Sequence, residues 1–179
     1  MLGDIIEMIT GNSLENEISE RILGKLGLDN TKYLNGGVEI PGYHPRAYYK
    51  GVYDPDFIEC SQWLDCSWAG AAGSMVSNLF ELKTYARALV DGYFLSNELQ
   101  QCRLEAHEIS RSNLKYGMGI FDYDSFYGHN GGYPGFSSLM MHSSKRNCTI
   151  IIWYNCQLDK AEPLMLLPEV VKIIFPDIE

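Results

Sequence analysis

The chain has 179 residues, 46% hydrophobic and 21% charged, a balance that suits a soluble body with a sizeable core and argues against disorder. Lysine and arginine number 14 against 23 aspartates and glutamates, a formal charge of −9, which would repel nucleic acid and anionic membrane surfaces and excludes both as expected partners. Apolar runs such as residues 149–153 are too short to span a bilayer.

Residues 2–9 place Leu2, Ile5, Ile6 and Ile9 at helical spacing, and Thr10-Gly11 stops the pattern. This opening segment carries Asp4 and Glu7 and no basic export signal, so the sequence as it stands reads as cytoplasmic, although a full-length relative could be exported. Asn12-Ser13 offers a cap for a second helix, with Glu15 or Glu17 placed against its first turn. Leu14, Ile18, Ile22 and Leu26 lie along one face of that helix, and Gly27 reads as the residue that ends it. From 31 to 69 the periodicity dissolves among Gly36-Gly37, Pro41-Gly42, Pro45, Gly51 and Pro55, while Tyr43, Tyr48, Tyr49, Tyr53, Phe57, Trp63 and Trp68 supply aromatic bulk. A long loop this aromatic is expected to cover the core or line a cleft.

Ser77 or Asn78, the latter followed three residues on by Glu81, caps a helix whose apolar face is Leu79, Leu82, Ala86, Leu89 and Val90. Ser96 begins another, carrying Leu99, Cys102 and Leu104. After Asn113 the period becomes strand-like. Residues 116–123, 126–131, 136–142 and 148–154 are short, rich in aromatic or β-branched side chains and separated by turn-prone residues, which predicts an antiparallel meander. The segment 162–175 is apolar and helical, with Pro168 expected to kink it, and would pack on one face of the sheet. The expected fold is α+β in a single domain over 1–179: a helical and loop region at about 1–112, then an antiparallel sheet with a C-terminal helix at about 113–179.

Five cysteines, Cys60, Cys66, Cys102, Cys148 and Cys156, show neither zinc spacing nor a Cys-x-x-Cys pair and read as buried thiols. His44, His107 and His142 lack carboxylate or cysteine partners at ligand spacing, and the glycine-rich segment 128–135 lacks the Gly-Lys-Ser/Thr of a phosphate loop. No metal and no cofactor are expected.

That segment is the most informative stretch. Gly128-His129-Asn130-Gly131-Gly132-Tyr133-Pro134-Gly135-Phe136-Ser137-Ser138 puts four glycines and one histidine between two strands, so bare backbone can approach a ligand closely. It resembles the His-x-Gly form of the active-site wall in the penicillin-recognising serine hydrolases: class C β-lactamases, D-alanyl-D-alanine carboxypeptidases and the related esterases and D-aminopeptidases. Three further stretches resemble the same family in the same order. Residues 3–11 are similar to the helix after its second motif, Leu26-Gly27-Leu28-Asp29-Asn30-Thr31 to its Leu-Gly-Met-x-x-Thr turn, and Ala71-Ala72-Gly73-Ser74-Met75-Val76-Ser77 to its Ala-Gly-Gly-Leu-x-Ser helix entry.

The resemblance implies an incomplete β-lactamase/transpeptidase-like fold and a serine acyl-hydrolase acting on a small-molecule or peptide substrate. In it the Gly132 N–H would be one oxyanion donor, and His129 would orient the substrate or the protons near the nucleophile. Asn130, with Gly131 and Tyr133 beside it, would contact the substrate. The family's Ser-x-x-Lys and Tyr-x-Asn motifs are expected upstream of Met1. Ser112-Asn113-Leu114-Lys115 and Tyr33-Leu34-Asn35 satisfy those patterns, but the first leads into a strand where the mechanism needs a helix start, and the second lies on the wrong side of the matched helix. The alternative expectation is a non-catalytic binding module that associates with itself or with an amino-terminal fragment.

Overall fold

The computed structural model describes residues 1–51, 53, 55–109, 113–158 and 162–176. Helix α1 (Leu2–Thr10) ends at Gly11, whose φ of 72° is the left-handed cap anticipated from the sequence. Its apolar residues are not a buried face. Leu2, Met8 and Ile9 are 72%, 85% and 80% exposed, and the helix is held through Gly3, where a Cβ would stand 2.7 Å from the Ala71 Cβ.

Ser13 caps α2 (Leu14–Ile18) by accepting the Asn16 N–H at 3.2 Å. The helix runs on through a π turn at Ser19–Leu23 into α3 (Gly24–Leu26), which Gly27 closes at φ 65°. Glu17 is buried and accepts from Asn12 and Arg21.

The stretch 31–69 is more ordered than its sequence suggests. It holds β1 (Lys32–Tyr33), β2 (Tyr48–Lys50) and β3 (Ile58–Glu59). A 3-10 turn at Gly70–Ala72 then leads to β4 (Met75–Val76), which pairs antiparallel with β1. Buried members of the stretch include Thr31, Leu34, Ala47, Cys60 and Cys66, while Tyr43, Tyr53, Phe57, Trp63 and Trp68 remain exposed. The reading of all five cysteines as buried therefore holds for Cys60 and Cys66 and fails for Cys102, which is exposed.

Asn78 caps α4 (Leu79–Val90) by accepting the Glu81 N–H at 3.0 Å. Glu81 does not reach back to Asn78. Its carboxylate accepts the Asn30 N–H at 2.9 Å and the Thr31 hydroxyl at 2.6 Å, and Thr31 also meets the Ser77 hydroxyl at 2.8 Å. Two of the family-like stretches are thus tied to each other at the start of α4. In α5 (Asn97–Leu104) the expected apolar face divides: Leu104 packs against the α4 cluster, while Leu99, 57% exposed, and Cys102 face outward. Gln100 is buried instead, because its amide donates to the Leu89 and Val90 carbonyls at 3.0 and 2.9 Å and so satisfies the end of α4.

The main sheet has six antiparallel strands in the order β10-β9-β8-β7-β6-β5. They are β5 (His107–Glu108), β6 (Leu114–Tyr116), β7 (Phe121–Tyr123), β8 (Phe126–Tyr133), β9 (Phe136–Ser143) and β10 (Cys148–Tyr154). The single strand expected over 116–123 is two, because Gly119 at φ 69° turns the chain so that Tyr116 faces Phe121. Asp124 and Ser125, both at positive φ, form the two-residue β7–β8 turn that right-handed strand twist favours. After β10, β11 (Cys156–Leu158) leaves the meander and pairs parallel with β2. Helix α6 (Pro163–Ile174) contains Pro168 and buries Leu167 and Val171 against Phe126, Leu139, Met141 and Ile150 on one face of the sheet. On the other face, Ala86, Leu89 and Val90 of α4 pack with Ile120 and Met140. Among the described residues no helix is long and apolar enough to cross a membrane.

His142 sits beneath the end of α4, 1% exposed, with Nδ1 2.8 Å from the Thr149 hydroxyl and Nε2 3.6 Å from Asp91. Burial lowers its pKa below the ordinary histidine value; Asp91 opposes the shift and Arg87 adds to it. The folded chain then binds this proton less tightly than the unfolded chain. Stability should be full above the unfolded pKa of ~6.5 and decline as pH falls from there toward the lower folded value. Melting temperature followed against pH should show that decline in the native chain and a flatter profile in His142→Asn; equal slopes would remove His142 as the cause.

Candidate active site

Strand β8 carries the glycine-rich stretch, and its two edges differ. Along one, it pairs with β9 from Tyr127↔His142 to Tyr133↔Phe136, closing on the two-residue loop Pro134-Gly135. Along the other, β7 reaches only to Phe121↔Gly128, so residues 129–133 have no strand partner on that side among the described residues. In an antiparallel hairpin closed by two residues the flanking pair is hydrogen-bonded and the pairs alternate from there. Gly132↔Ser137 is therefore a pair without mutual bonds, and the Gly132 N–H points to the open edge. A Cβ built at Gly132 meets nothing within 4 Å. Among the described residues the result is an unspent backbone donor on an uncovered edge.

The other glycines of the stretch serve packing. At Gly128 a Cβ would lie 1.8 Å from the Met140 carbonyl oxygen, so the two strand backbones approach too closely for any side chain. Gly135, at φ 79°, is seated in the 47–60 loop, where a Cβ would come within 2.5 Å of both the Ala47 Cβ and the Cys60 Sγ. Tyr133 extends the same tether. Its hydroxyl donates to the Leu64 carbonyl at 2.8 Å and its ring lies 6.4 Å from that of Trp68. Burial, reinforced by Cys66, pushes the Tyr133 pKa up to about 12, so it remains a neutral phenol at physiological pH.

His129 stands just past the end of β7. Its ring centroid is 4.7 Å from that of Phe121, its Nδ1 is 2.6 Å from the Asn130 carbonyl, and its Nε2 is 3.0 Å from the Tyr116 hydroxyl. The Asn130 side chain goes elsewhere. With Ser137, Ser138, Gln157 and Glu162 it lines a cavity of about 40 Å³ at the amino end of α6. The structure therefore gathers His129 and the Gly132 donor on one edge, holds Tyr133 in the loop tether, and separates the Asn130 side chain from them.

Tyr116 and Phe121 were not singled out from the sequence. Counting outward from the Asp124-Ser125 turn pairs 121 with 128, and counting across the 117–120 turn pairs 116 with 121, so the row was recoverable from turn lengths. Ser112 of Ser112-Asn113-Leu114-Lys115 lies outside the described residues. In Tyr33-Leu34-Asn35, the Asn35 amide donates to Glu15 at 3.2 Å. Among the described residues no cluster of three or more His, Cys, Asp or Glu side chains is placed to hold a metal ion.

A meander with one helix on each face, and a glycine-rich strand whose edge is left open beside a histidine, is the architecture of the β-lactamase and transpeptidase fold. The chain belongs to the beta-lactamase family, whose model matches residues 1–167. It is similar to a D-stereospecific amidohydrolase from Streptomyces sp., with 28% identity and a TM-score of 0.84 over 99% of this chain and 52% of that one. A D-amino acid amidase from Ochrobactrum anthropi SV3, complexed with D-phenylalanine, shares the fold at 23% identity and a TM-score of 0.75, over 96% of this chain and 54% of that one. So does a penicillin binding protein from Bacillus halodurans, at 16% identity and a TM-score of 0.77, over 97% of this chain and 53% of that one. The chain spans about half the length of these structures.

Proposed function

We propose that this chain forms the oxyanion-side wall of a serine acyl-hydrolase acting on amide carbonyls, with D-amino acid amides and D-amino-acid-terminated peptides as the substrate class. The observation that carries the reading is the outward Gly132 N–H on the uncovered edge of β8, in open space beside His129. A donor fixed before the reaction begins stabilises a tetrahedral oxyanion without reorganisation. The choice of D-amino acid amides over β-lactams, carboxypeptidase substrates or esters is supported by the 28% identity to the D-stereospecific amidohydrolase.

The serine that is acylated comes, in this reading, from a segment outside the 179 residues. Neither internal candidate suits acyl transfer, since Lys115 lies in β6, where a helix start is required, and Asn35 is spent on Glu15. The bare apolar side chains of α1 and the outer edge of β10 are surfaces such a segment would cover.

Incubating the purified chain with a labelled fluorophosphonate built on a D-amino acid, a trap for an acyl-transfer serine, and measuring intact mass tests the assignment. The expected result is no adduct from the chain alone and a stoichiometric adduct on the nucleophile-bearing segment when both are present. An adduct localised to Ser112 would overturn it.

A further inference from the structure

Both ring nitrogens of His129 are engaged, and one of the two contacts decides which nitrogen carries the proton. The Asn130 carbonyl, 2.6 Å from Nδ1, can only accept a hydrogen bond, so Nδ1 is the protonated nitrogen whether the ring is neutral or charged. In the neutral ring Nε2 then carries the lone pair, and the partner of Nε2 is the Tyr116 hydroxyl at 3.0 Å. A phenol can donate to a bare nitrogen and accept from a protonated one, so Tyr116 suits both states.

One further ring, Phe121, holds this pair in place. Phe121 lies 4.9 Å from Tyr116 at 68° and 4.7 Å from His129 at 36°, and Tyr116 lies 5.7 Å from His129 at 72°. Tyr116 is aligned by its register opposite Phe121, which is itself opposite Gly128, the residue before His129. Position and hydrogen bonding therefore come from separate features: the aromatic contacts place the ring, and the hydroxyl addresses one nitrogen.

We propose that Tyr116 is a positioning residue for His129: together with the Asn130 carbonyl, its hydroxyl holds the neutral imidazole as the Nδ1–H tautomer, with the basic lone pair on Nε2. This rests on the reading that His129 serves the acyl-transfer site. It adds that the wall histidine works through a single nitrogen, set by the Asn130 carbonyl at Nδ1 and reinforced at Nε2 by a tyrosine two strands away. The choice runs against intrinsic preference, because a free histidine side chain favours the Nε2–H form. A solvated surface histidine would show that ordinary form.

The test is a long-range proton–nitrogen NMR spectrum of the imidazole nitrogens in the uniformly labelled 179-residue chain, at a pH where the ring is neutral. His129→Gln identifies the resonances by their loss. The expected result is a protonated Nδ1 and an unprotonated Nε2 in the native chain, and a shift of the population toward Nε2–H in Tyr116→Phe, which keeps the ring packing and removes only the hydroxyl. A native spectrum dominated by Nε2–H overturns the proposal, as does an unchanged tautomer ratio in Tyr116→Phe. Should Tyr116→Phe fail to fold, the native spectrum alone still decides between the two tautomers. None of these outcomes depends on acylation, so a chain that shows the Nδ1–H form and takes no part in amide hydrolysis would refute the proposed function and leave the role of Tyr116 standing.

Discussion

Gly128→Ala should cost more than about 4 kcal/mol of folding stability, whereas Gly132→Ala, four residues along the same strand, should cost no more than about 1 kcal/mol. At Gly128 the added Cβ meets backbone, 1.8 Å from the Met140 carbonyl oxygen and 2.9 Å from the Met141 Cα, so relief requires prising β8 from β9 in the middle of the sheet. Those strands carry Leu139 and Met141, both fully buried beneath α6, and separating them also opens the core. At Gly132 there is nothing to meet. Gly131 falls between, because its Cβ would face only the Ser138 hydroxyl at 2.6 Å, which can rotate away. Chemical denaturation of the three variants should rank them in that order; similar losses at 128 and 132 would show that the close approach of the strands does not bear on stability.

Gly132→Pro separates the backbone donor from the rest of the wall. Proline cannot sit where a ladder bond is needed, but it is tolerated where the N–H faces away from the partner strand, as the register places Gly132. Gly131 precedes it in an extended strand, the conformation a following proline demands. The folded chain should therefore survive with a modest change in melting temperature. In an assembly competent for turnover, amide hydrolysis should fall about 100-fold or more, the usual consequence of deleting one oxyanion donor. Retained turnover would assign the donor elsewhere, and a collapse of the fold would mean that the Gly132 N–H is bonded within the sheet.

How far the sequence could be read depended on the distance over which each feature is decided. Ser13, Asn78 and Ser96 were recognisable as caps because the group each satisfies lies three residues ahead. Gly11 and Gly27 were equally plain, since a left-handed residue ends a helix by its own conformation. The strands of the meander and their short turns followed from alternation, with two misses: the two-residue β5, too short to carry a period, and the break at Gly117-Met118-Gly119-Ile120 inside an apparently continuous strand. The little sheets within 31–69 were invisible because strands of two or three residues carry no period, and because β2 takes its parallel partner from β11, more than a hundred residues later. Helix α5 misled for a related reason: nothing local to Gln100 reveals that the carbonyls of Leu89 and Val90 need a donor.

The candidate site divides along the same line. His129 and the glycines could be found as a motif, and the resemblance supplied their expected roles. The open edge of β8 could not be, since it exists only because β7 ends at Phe121. Nor did the motif show that the Asn130 side chain leaves the histidine for a cavity beside α6, or that Tyr133 gives its hydroxyl to Leu64.

The seat of Gly135 among Ala47, Tyr48 and Cys60 bears on how such a wall can change its substrate while keeping its chemistry. The hairpin tip is clamped by small buried residues, while the large aromatics of the same loop, Trp63 and Trp68, stand more than half exposed, Trp68 adding only a ring contact with Tyr133. Rigidity and variability are thus assigned to different residues of one segment. New side chains at 63 and 68 can reshape what lies next to the strand without loosening it, whereas enlarging residue 47 or 60 would lift the tip and misaim the donor at the far end of the turn. A library randomised at the exposed aromatics should yield altered preferences in folded proteins, and one randomised at the buried small residues should yield mostly unfolded ones.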